Sequence, residues 1–427
     1  MSNGAQIRRT LVAGLGVSAL AVVAGCGSDG SAQSDGGDVV LEFSQWWEPE
    51  LPDGYFRGLM DQFEEENPGI TVELLSGPYA STKEQVVAGA AAGTMSDVVG
   101  LDGAWVNDFA GQGSIADLSA VMEEVGYDTS NLASEVQVDG STYMIPVVNF
   151  VYPMFTNDDL LAAAGVDGPP QTRGEFADAA EKISALDEST HGWVLPLSLE
   201  APNGVQNDVM SWVWASGGSM LSDGQPALTG NPDVADGAQF VKDLWDAGVV
   251  APGAFTMKEQ DKVEEFTNGR VGMMIDSLAH VNTLRDSNPD LSFSVSALPA
   301  EDGYTGERGI PYASWGIGIA ENSEHKAEAF KLIEFLMSEG PNADLSEAAH
   351  AFPGNTESVP DFVEGDEVFS AAFEIYQDGY PANEFVGLPV AEQLMRDLGE
   401  EFQKALDGQQ TVDEALAAAQ EKWEAKF

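Results

Sequence analysis

Val39-Val40-Leu41-Glu42-Phe43 opens the stretch that decides the fold of this 427-residue chain. These residues read as a buried strand, and Ser44-Gln45-Trp46-Trp47-Glu48-Pro49 reads as the loop after it. Tyr55, Phe56, Leu59, Met60 and Phe63 then recur at helical spacing, with Asp61 and Glu64 to Glu66 opposite, until Asn67-Pro68-Gly69 stops the helix. Ile70 to Leu75 predicts a second strand. Ser81 with Glu84 predicts a capping box for a helix through Ala92, and Asp97-Val98-Val99-Gly100-Leu101 predicts a third strand. Strand and helix alternate, so the fold class is α/β: a mainly parallel sheet with helices on both faces and ligands outside the C-terminal ends of the strands. The loops bearing Trp46, Trp47, Asp102 and Trp105 all fall at that edge.

Downstream the alternation breaks at 140–155, a long apolar extended stretch that contains Pro146 and Pro153. Beyond it, Asn157 to Ala164, Thr172 to Leu186 and Pro232 to Ala247 predict helices of a second lobe, with Thr172-Arg173-Gly174-Glu175 and Asn231-Pro232 as good helix starts. Leu291 to Pro299 is a second extended stretch. Two such crossings suit a chain that leaves one lobe, builds another and returns. Amphipathic helices around His325 to Met337, Val390 to Leu406 and Val412 to Trp423 end the fold.

Upstream, residues 1–25 read as a secretory signal: Arg8-Arg9, an apolar run from Leu11 to Ala24, then small residues, too short to span a membrane. Arg8-Arg9-Thr10-Leu11 also looks like a twin-arginine export signal, and the sequence leaves the two export routes open. Val23-Ala24-Gly25-Cys26 resembles a lipobox, in which the cysteine is lipidated and becomes the mature N-terminus. Cys26 is the one cysteine of the sequence, so no disulfide forms within one chain. Residues 26–38 read as the lipidated cysteine and a flexible Gly/Ser/Asp tether. The expected location is the outer face of the cytoplasmic membrane, held there by lipid on Cys26.

Asp and Glu number 71 against 18 Lys and Arg, a formal charge of −53. Such a surface repels phosphate, which excludes nucleic acid as a partner and disfavours anionic ligands. The acids are spread along the chain, and no calcium-loop motif appears. Salt screening explains the pattern better: at about 1 M salt the Debye length shrinks to about 3 Å and self-repulsion fades, so a salt-loving source is expected.

No catalytic or metal motif stands out, and no cofactor is expected. The four histidines are scattered, and Ser323-Glu324-His325-Lys326 reads as a helix start. What remains is aromatic residues beside turns and strand ends: Trp46, Trp47, Trp105, Phe150, Tyr152, Trp212, Trp214, Trp315 and Phe352. An indole face covers the C–H face of a sugar ring, and one such stack contributes on the order of 1–2 kcal/mol. Gln45, Glu48, Asp102, Asn149 and Asp276 are the candidate hydroxyl partners, because an unpaired buried polar group costs about 1–3 kcal/mol and so enforces selectivity.

The chain from Val39 onward resembles the extracellular solute-binding proteins of carbohydrate-uptake ABC transporters, the maltose-binding group of family 1. The resembling pieces are Phe43 to Trp47, Phe63 to Val72, Ser96 to Asp102, Tyr143 to Pro146 leading to Phe155-Thr156-Asn157 and Leu160 to Gly165, Phe266 to Ile275, and Trp315 to Ile319. The resemblance implies a two-lobe periplasmic-binding-protein-like fold of type II. Residues 39–147 with about 299–337 would form one lobe and 148–298 with about 338–427 the other, joined by hinge strands. It also implies a non-enzymatic, monomeric receptor that hands a neutral mono- or oligosaccharide to the transmembrane subunits of an ABC permease. The binding residues it implies are Trp47, Glu48, Asp102, Trp105, Asn149, Phe150, Asp276, Ser277, Trp315 and Gly316. Many relatives carry Gly-x-Trp where this chain has Asp276-Ser277-Leu278, a gap that Trp212 or Trp214 could fill. A polyamine receptor and a secreted carbohydrate-active hydrolase are the alternatives.

Overall fold

A computed structural model describes residues 38–427. The expected signal, Cys26 and nearly all of the tether lie outside the described residues. Among the described residues no helix is long and apolar enough to cross a membrane.

The opening alternation folds as its pattern demands. Val39–Gln45 pairs in parallel with Ile70–Ser76 on one side and with Val98–Leu101 on the other. Helix Tyr55–Glu66 crosses between the first two strands and buries Phe56, Leu59, Met60 and Phe63, the stripe read from the sequence. Gly69, at φ +94°, turns the chain into the next strand, a conformation open chiefly to glycine. Helix Tyr79–Ala92 departs from expectation at its start. Pro78, not Ser81, sits at its N-cap, and the Ser81 hydroxyl donates back to the Pro78 carbonyl at 2.9 Å. A proline ahead of the box fixes the helix start first.

The apolar stretch after residue 140 becomes the 11-residue strand Ser141–Val151 and the short strand Met154–Asn157. Ser141–Val151 runs antiparallel to another 11-residue strand, Gly309–Ile319, which in turn runs antiparallel to Val98–Leu101. The first sheet is therefore mixed, parallel where the strand-helix alternation built it and again where Tyr380–Ala382 pairs with Gly309–Ile319. At about 3.3 Å per residue each long strand reaches some 36 Å. At one end Met144, Ile145, Ile317 and Ile319 pack in the first core, and at the other Val151 and Ile310 pack in a separate cluster with Phe155 and Phe266. Both strands thus join the two halves, with a register shift between Trp315 and Gly316.

The second half is built on a four-stranded sheet in the order Phe293–Ser296, Met154–Asn157, Val271–Ile275, His191–Trp193. Only the last pair is parallel. The second crossing expected at 291–299 is corrected: Phe293–Ser296 is an edge strand here, and the return is made by Gly309–Ile319. Alternation of apolar and small residues marks a strand without saying which sheet receives it.

Helices Asp158–Ala163, Arg173–Ser184 and Pro232–Asp246 form where expected. The capping box at Thr172 closes in both directions, at 3.2 Å from the Glu175 N–H to the Thr172 hydroxyl and 3.3 Å from the Thr172 N–H to the Glu175 carboxylate. Ser323 precedes helix Lys326–Leu336 and accepts from the His325 N–H at 3.1 Å, the helix-start role read for it. Helix Ala391–Leu406 carries Leu394, Leu398 and Phe402 into the core of the second half, against Trp423 of the last helix, Val412–Glu424.

Candidate functional site

The two halves face each other across a narrow cleft of about 70 Å³, smaller than an ordinary ligand pocket. The first half contributes Tyr79 and Asp102, the second Gln206 and Asn207, and the shared strand Gly309–Ile319 contributes Ser314. Tyr152, just past the other shared strand, adds a further ring.

Asp102 follows the buried strand Val98–Leu101 and caps helix Gly103–Gly111, its Oδ1 accepting from the Ala104 N–H at 2.8 Å. Its Oδ2 accepts from the Tyr79 hydroxyl at 3.1 Å. Burial pushes the Asp102 carboxyl up, against the pull of these donors and of the Lys83 ammonium. An acceptor held by a helix N-terminus and a phenol is fixed before any ligand arrives.

Opposite, Val205–Met210 is a π-helical segment, every residue of it buried. Such widened turns re-aim side chains and concentrate at functional sites. Here the segment brings the paired amides of Gln206 and Asn207 to the cleft, Gln206 Nε2 donating to Asn207 Oδ1 at 3.0 Å, while Asp208 points into the protein. Gly204 leads into the segment because its backbone lies against the Pro196 carbonyl: a Cβ would meet that oxygen at 1.6 Å.

Behind Tyr152 runs a buried chain of charges. The Lys262 ammonium is 3.6 Å from the Asp208 carboxylate and 3.3 Å from Asp276, and Asp276 is 2.9 Å from His280 Nδ1. Burial alone would lower the Lys262 pKa, but Asp208, Asp276 and Glu259 together raise it. Burial pushes Asp276 up, and the cations Lys262 and His280 outweigh that and hold it below the carboxylate range. Asp208 has no hydrogen-bond donor on either oxygen, and burial pushes it up to about 8. Oxygen or nitrogen atoms of Glu259, Asp276 and His280 lie within 4.8 Å of one another. Lys262 already supplies the countercharge there, so an ion-pair chain accounts for the cluster.

Of the residues chosen from the sequence, Asp102 lines the cleft and Trp105 lines an adjoining groove. The others fall elsewhere. Trp47 and Trp315 stack on each other at 5.5 Å in the first core, with the edge of Phe150 against Trp315. Gln45 and Glu48 are tied together through Ser76 at the end of the first strand. Trp212 is packed among Phe176, Trp193 and Phe240, and the Trp214 indole donates to Glu384 at 2.7 Å. Phe352 stacks on Tyr376, whose hydroxyl also receives Asn149 Nδ2 at 3.4 Å. Asp276 belongs to the charge chain. Ser277 caps the turn beside it and lies against the Tyr152 hydroxyl. Gly316 is needed for packing, since a Cβ would meet Met144 Sδ at 2.2 Å.

Trp47, Trp212 and Trp315 are buried here: indoles next to strand ends are large enough to fill the core under those ends. Tyr79 and Tyr152 border the cleft, with Phe385 buried behind it against Trp423. Sequence reasoning had Tyr152 among its aromatics and missed Tyr79, Phe385, Gln206, Asn207 and Ser314.

Comparison with known proteins agrees with this fold. The family model of bacterial extracellular solute-binding proteins matches residues 48–343. A binding protein of Brucella abortus is 29% identical over 354 residues, 82% of this chain and 81% of the relative. The multiple sugar-binding protein of Streptococcus mutans is 21% identical over 329 residues, 74% of this chain and 75% of its own. The crystal structure of the cyclic alpha-maltosyl-1,6-maltose binding protein from Arthrobacter globiformis superposes with a TM-score of 0.78 at 23% identity. It covers 91% of this chain and 99% of that one, and the shared architecture is the two-lobe binding-protein fold.

Proposed function

The chain belongs to the bacterial extracellular solute-binding proteins, and from that premise we propose that it captures a neutral mono- or oligosaccharide in the cleft and delivers it unchanged to an ABC permease. The observation that carries this reading is the composition of the cleft. Tyrosine rings stand beside a fixed carboxylate and a pair of amides, drawn from both halves. Flat apolar faces suit the C–H side of a sugar ring, and Asp102, Gln206 and Asn207 suit its hydroxyls. A ligand touching both halves favours the closed arrangement by its difference in affinity between open and closed. The sugar named for the Streptococcus mutans and Arthrobacter globiformis relatives supports the same ligand class.

Thermal-shift titration with a panel of mono- and oligosaccharides, spermidine and putrescine tests it, at 0.1 M and 3 M KCl. A sugar at a hundred times its dissociation constant stabilises the fold by about 2.7 kcal/mol, a rise of several degrees. Mass spectrometry is expected to recover that sugar intact. Stabilisation by polyamines alone, or consumption of the sugar, would replace this function with one of its rivals. Higher melting at 3 M KCl is expected of the salt-adapted surface, and equal or lower melting would remove that adaptation.

The receptor works at the outer face of the membrane, anchored through lipid on Cys26 and acting as a monomer. Cys26→Ser is expected to move the protein from the membrane fraction to the medium; an unchanged distribution would show that the anchor lies elsewhere.

A further inference from the structure

Besides the two shared strands, residues 383–392 tie the halves together a third time. The segment is rooted in the second half: Phe385 is buried against Trp423, and the Glu384 carboxylate accepts from the Trp214 indole at 2.7 Å and from the Met220 N–H at 2.8 Å. Its next two residues lie on the first half. The Gly387 N–H donates to the Gly103 carbonyl at 3.1 Å, and the Gly387 carbonyl accepts from Asn107 Nδ2 at 3.0 Å. Val386 packs on the first core over Gly103, where an added Cβ would meet Val386 Cγ1 at 2.7 Å. Gly387 itself is held at φ +76°, and a Cβ there would stand 3.3 Å from the Gln137 carbonyl.

Two further contacts follow along the segment. The Val390 N–H donates to Asp108 Oδ1 at 3.4 Å, and Glu392 pairs with Lys83 of helix Tyr79–Ala92. Val390 sits at φ +46°. A β-branched residue in that region is strained and stays there only while its surroundings hold it. The shared strands can flex with their ladder intact, whereas these contacts join the surfaces of the two halves directly and must break before the halves part. The cleft they flank measures only about 70 Å³, so the halves stand closed with every one of these contacts made.

We propose that residues 383–392 form a latch, which holds the closed arrangement through bonds between the protein's own groups and whose release lets a sugar enter and leave. Release also frees Val390 from its strained conformation. Asn107 and Gly387 are then positioning residues, acting on the sugar by setting how long Gln206 and Asn207 stay opposite Asp102. The inference rests on the sugar reading above for its ligand.

A reversible lock tests it. The Cβ of Val386 lies 3.3 Å from where a Cβ on residue 103 would stand, a few tenths of an ångström short of the about 3.5–4.5 Å of a disulfide. Gly103→Cys/Val386→Cys in a Cys26→Ser background carries no other thiol. Oxidised with its sugar bound, this protein is expected to lose exchange with labelled sugar altogether and to regain it on reduction. Failure of the disulfide to form, or equal exchange in the two redox states, overturns the latch. Asn107→Ala decides the matter independently: sugar should dissociate roughly fivefold faster, the loss of one hydrogen bond, with association unchanged, and unchanged dissociation overturns the latch as well. Should no sugar bind the wild type, the sugar reading falls alone. Small-angle scattering then judges the latch: the radius of gyration of the double-cysteine protein should rise on reduction, and equal radii overturn it.

Discussion

Lys262→Met is expected to lower the unfolding free energy by about 3–5 kcal/mol at pH 7, because it leaves the ionised, buried Asp276 carboxylate beside an apolar side chain. Lys262, Asp208 and Asp276 have 1%, 0% and 0% of their side chains exposed, so water cannot replace the lost ammonium. The pH dependence identifies the cause. Asp208 in the folded protein titrates at about 8, above its unfolded value. The folded state therefore binds the extra proton between about pH 4 and 8, and ionisation of Asp208 erodes stability as the pH climbs through that window. Lys262 has the opposite charge but a folded pKa also above its unfolded one. Its contribution is complete below the ordinary lysine range and lost only at more alkaline pH. The deficit of Lys262→Met should therefore shrink as the pH falls toward 4, where the stranded Asp276 carboxylate takes up a proton. Urea unfolding at pH 4, 7 and 9 measures it. A deficit below about 1 kcal/mol at pH 7 would mean the carboxylate finds other partners.

Asp102→Asn should weaken sugar binding by about 10- to 100-fold, the loss expected when a charged acceptor is removed from a buried hydrogen bond. Asparagine caps helices as well as aspartate does, so the melting temperature without sugar should stay nearly constant. That pairing separates a ligand contact from a structural one. Calorimetry and melting of the same preparations decide it: unchanged affinity would remove Asp102 from the site, and a large fall in melting temperature would make its role structural. Trp47→Ala is the informative contrast. Its indole lies between Trp315, Phe43 and Phe56, so its loss should appear first in stability, by about 3–5 kcal/mol.

How far the sequence carried these conclusions depended on the kind of signal. The strand-helix alternation from Val39 to Leu101 was legible because period 2 and period 3.6 are imposed by burial itself, and helices Arg173–Ser184 and Val412–Glu424 announced themselves through Thr172 and an amphipathic stripe. The helix Tyr79–Ala92 began early because Pro78 outranked a plausible serine cap. The long return strand was half hidden: Trp315 to Ile319 could be recognised, while Gly309 to Ser314 has no alternating pattern, being buried on both sides for most of its length. The cleft was the least legible part. Gln206 and Asn207 reach it through a π-turn, which has no compositional mark, and Tyr79 sits in a helix whose other residues are mostly surface. Tryptophan, the loudest residue in the sequence, signalled core filling at Trp47, Trp212 and Trp315.

The two long antiparallel strands have a mechanical meaning. Each half of the molecule is completed by backbone belonging equally to the other, so the halves cannot be parted, swapped or produced singly without tearing a ladder of hydrogen bonds. Gaping of the jaws is then a flexing of one two-ply leaf spring, whose weakest place is the irregular pairing at Trp315 and Gly316.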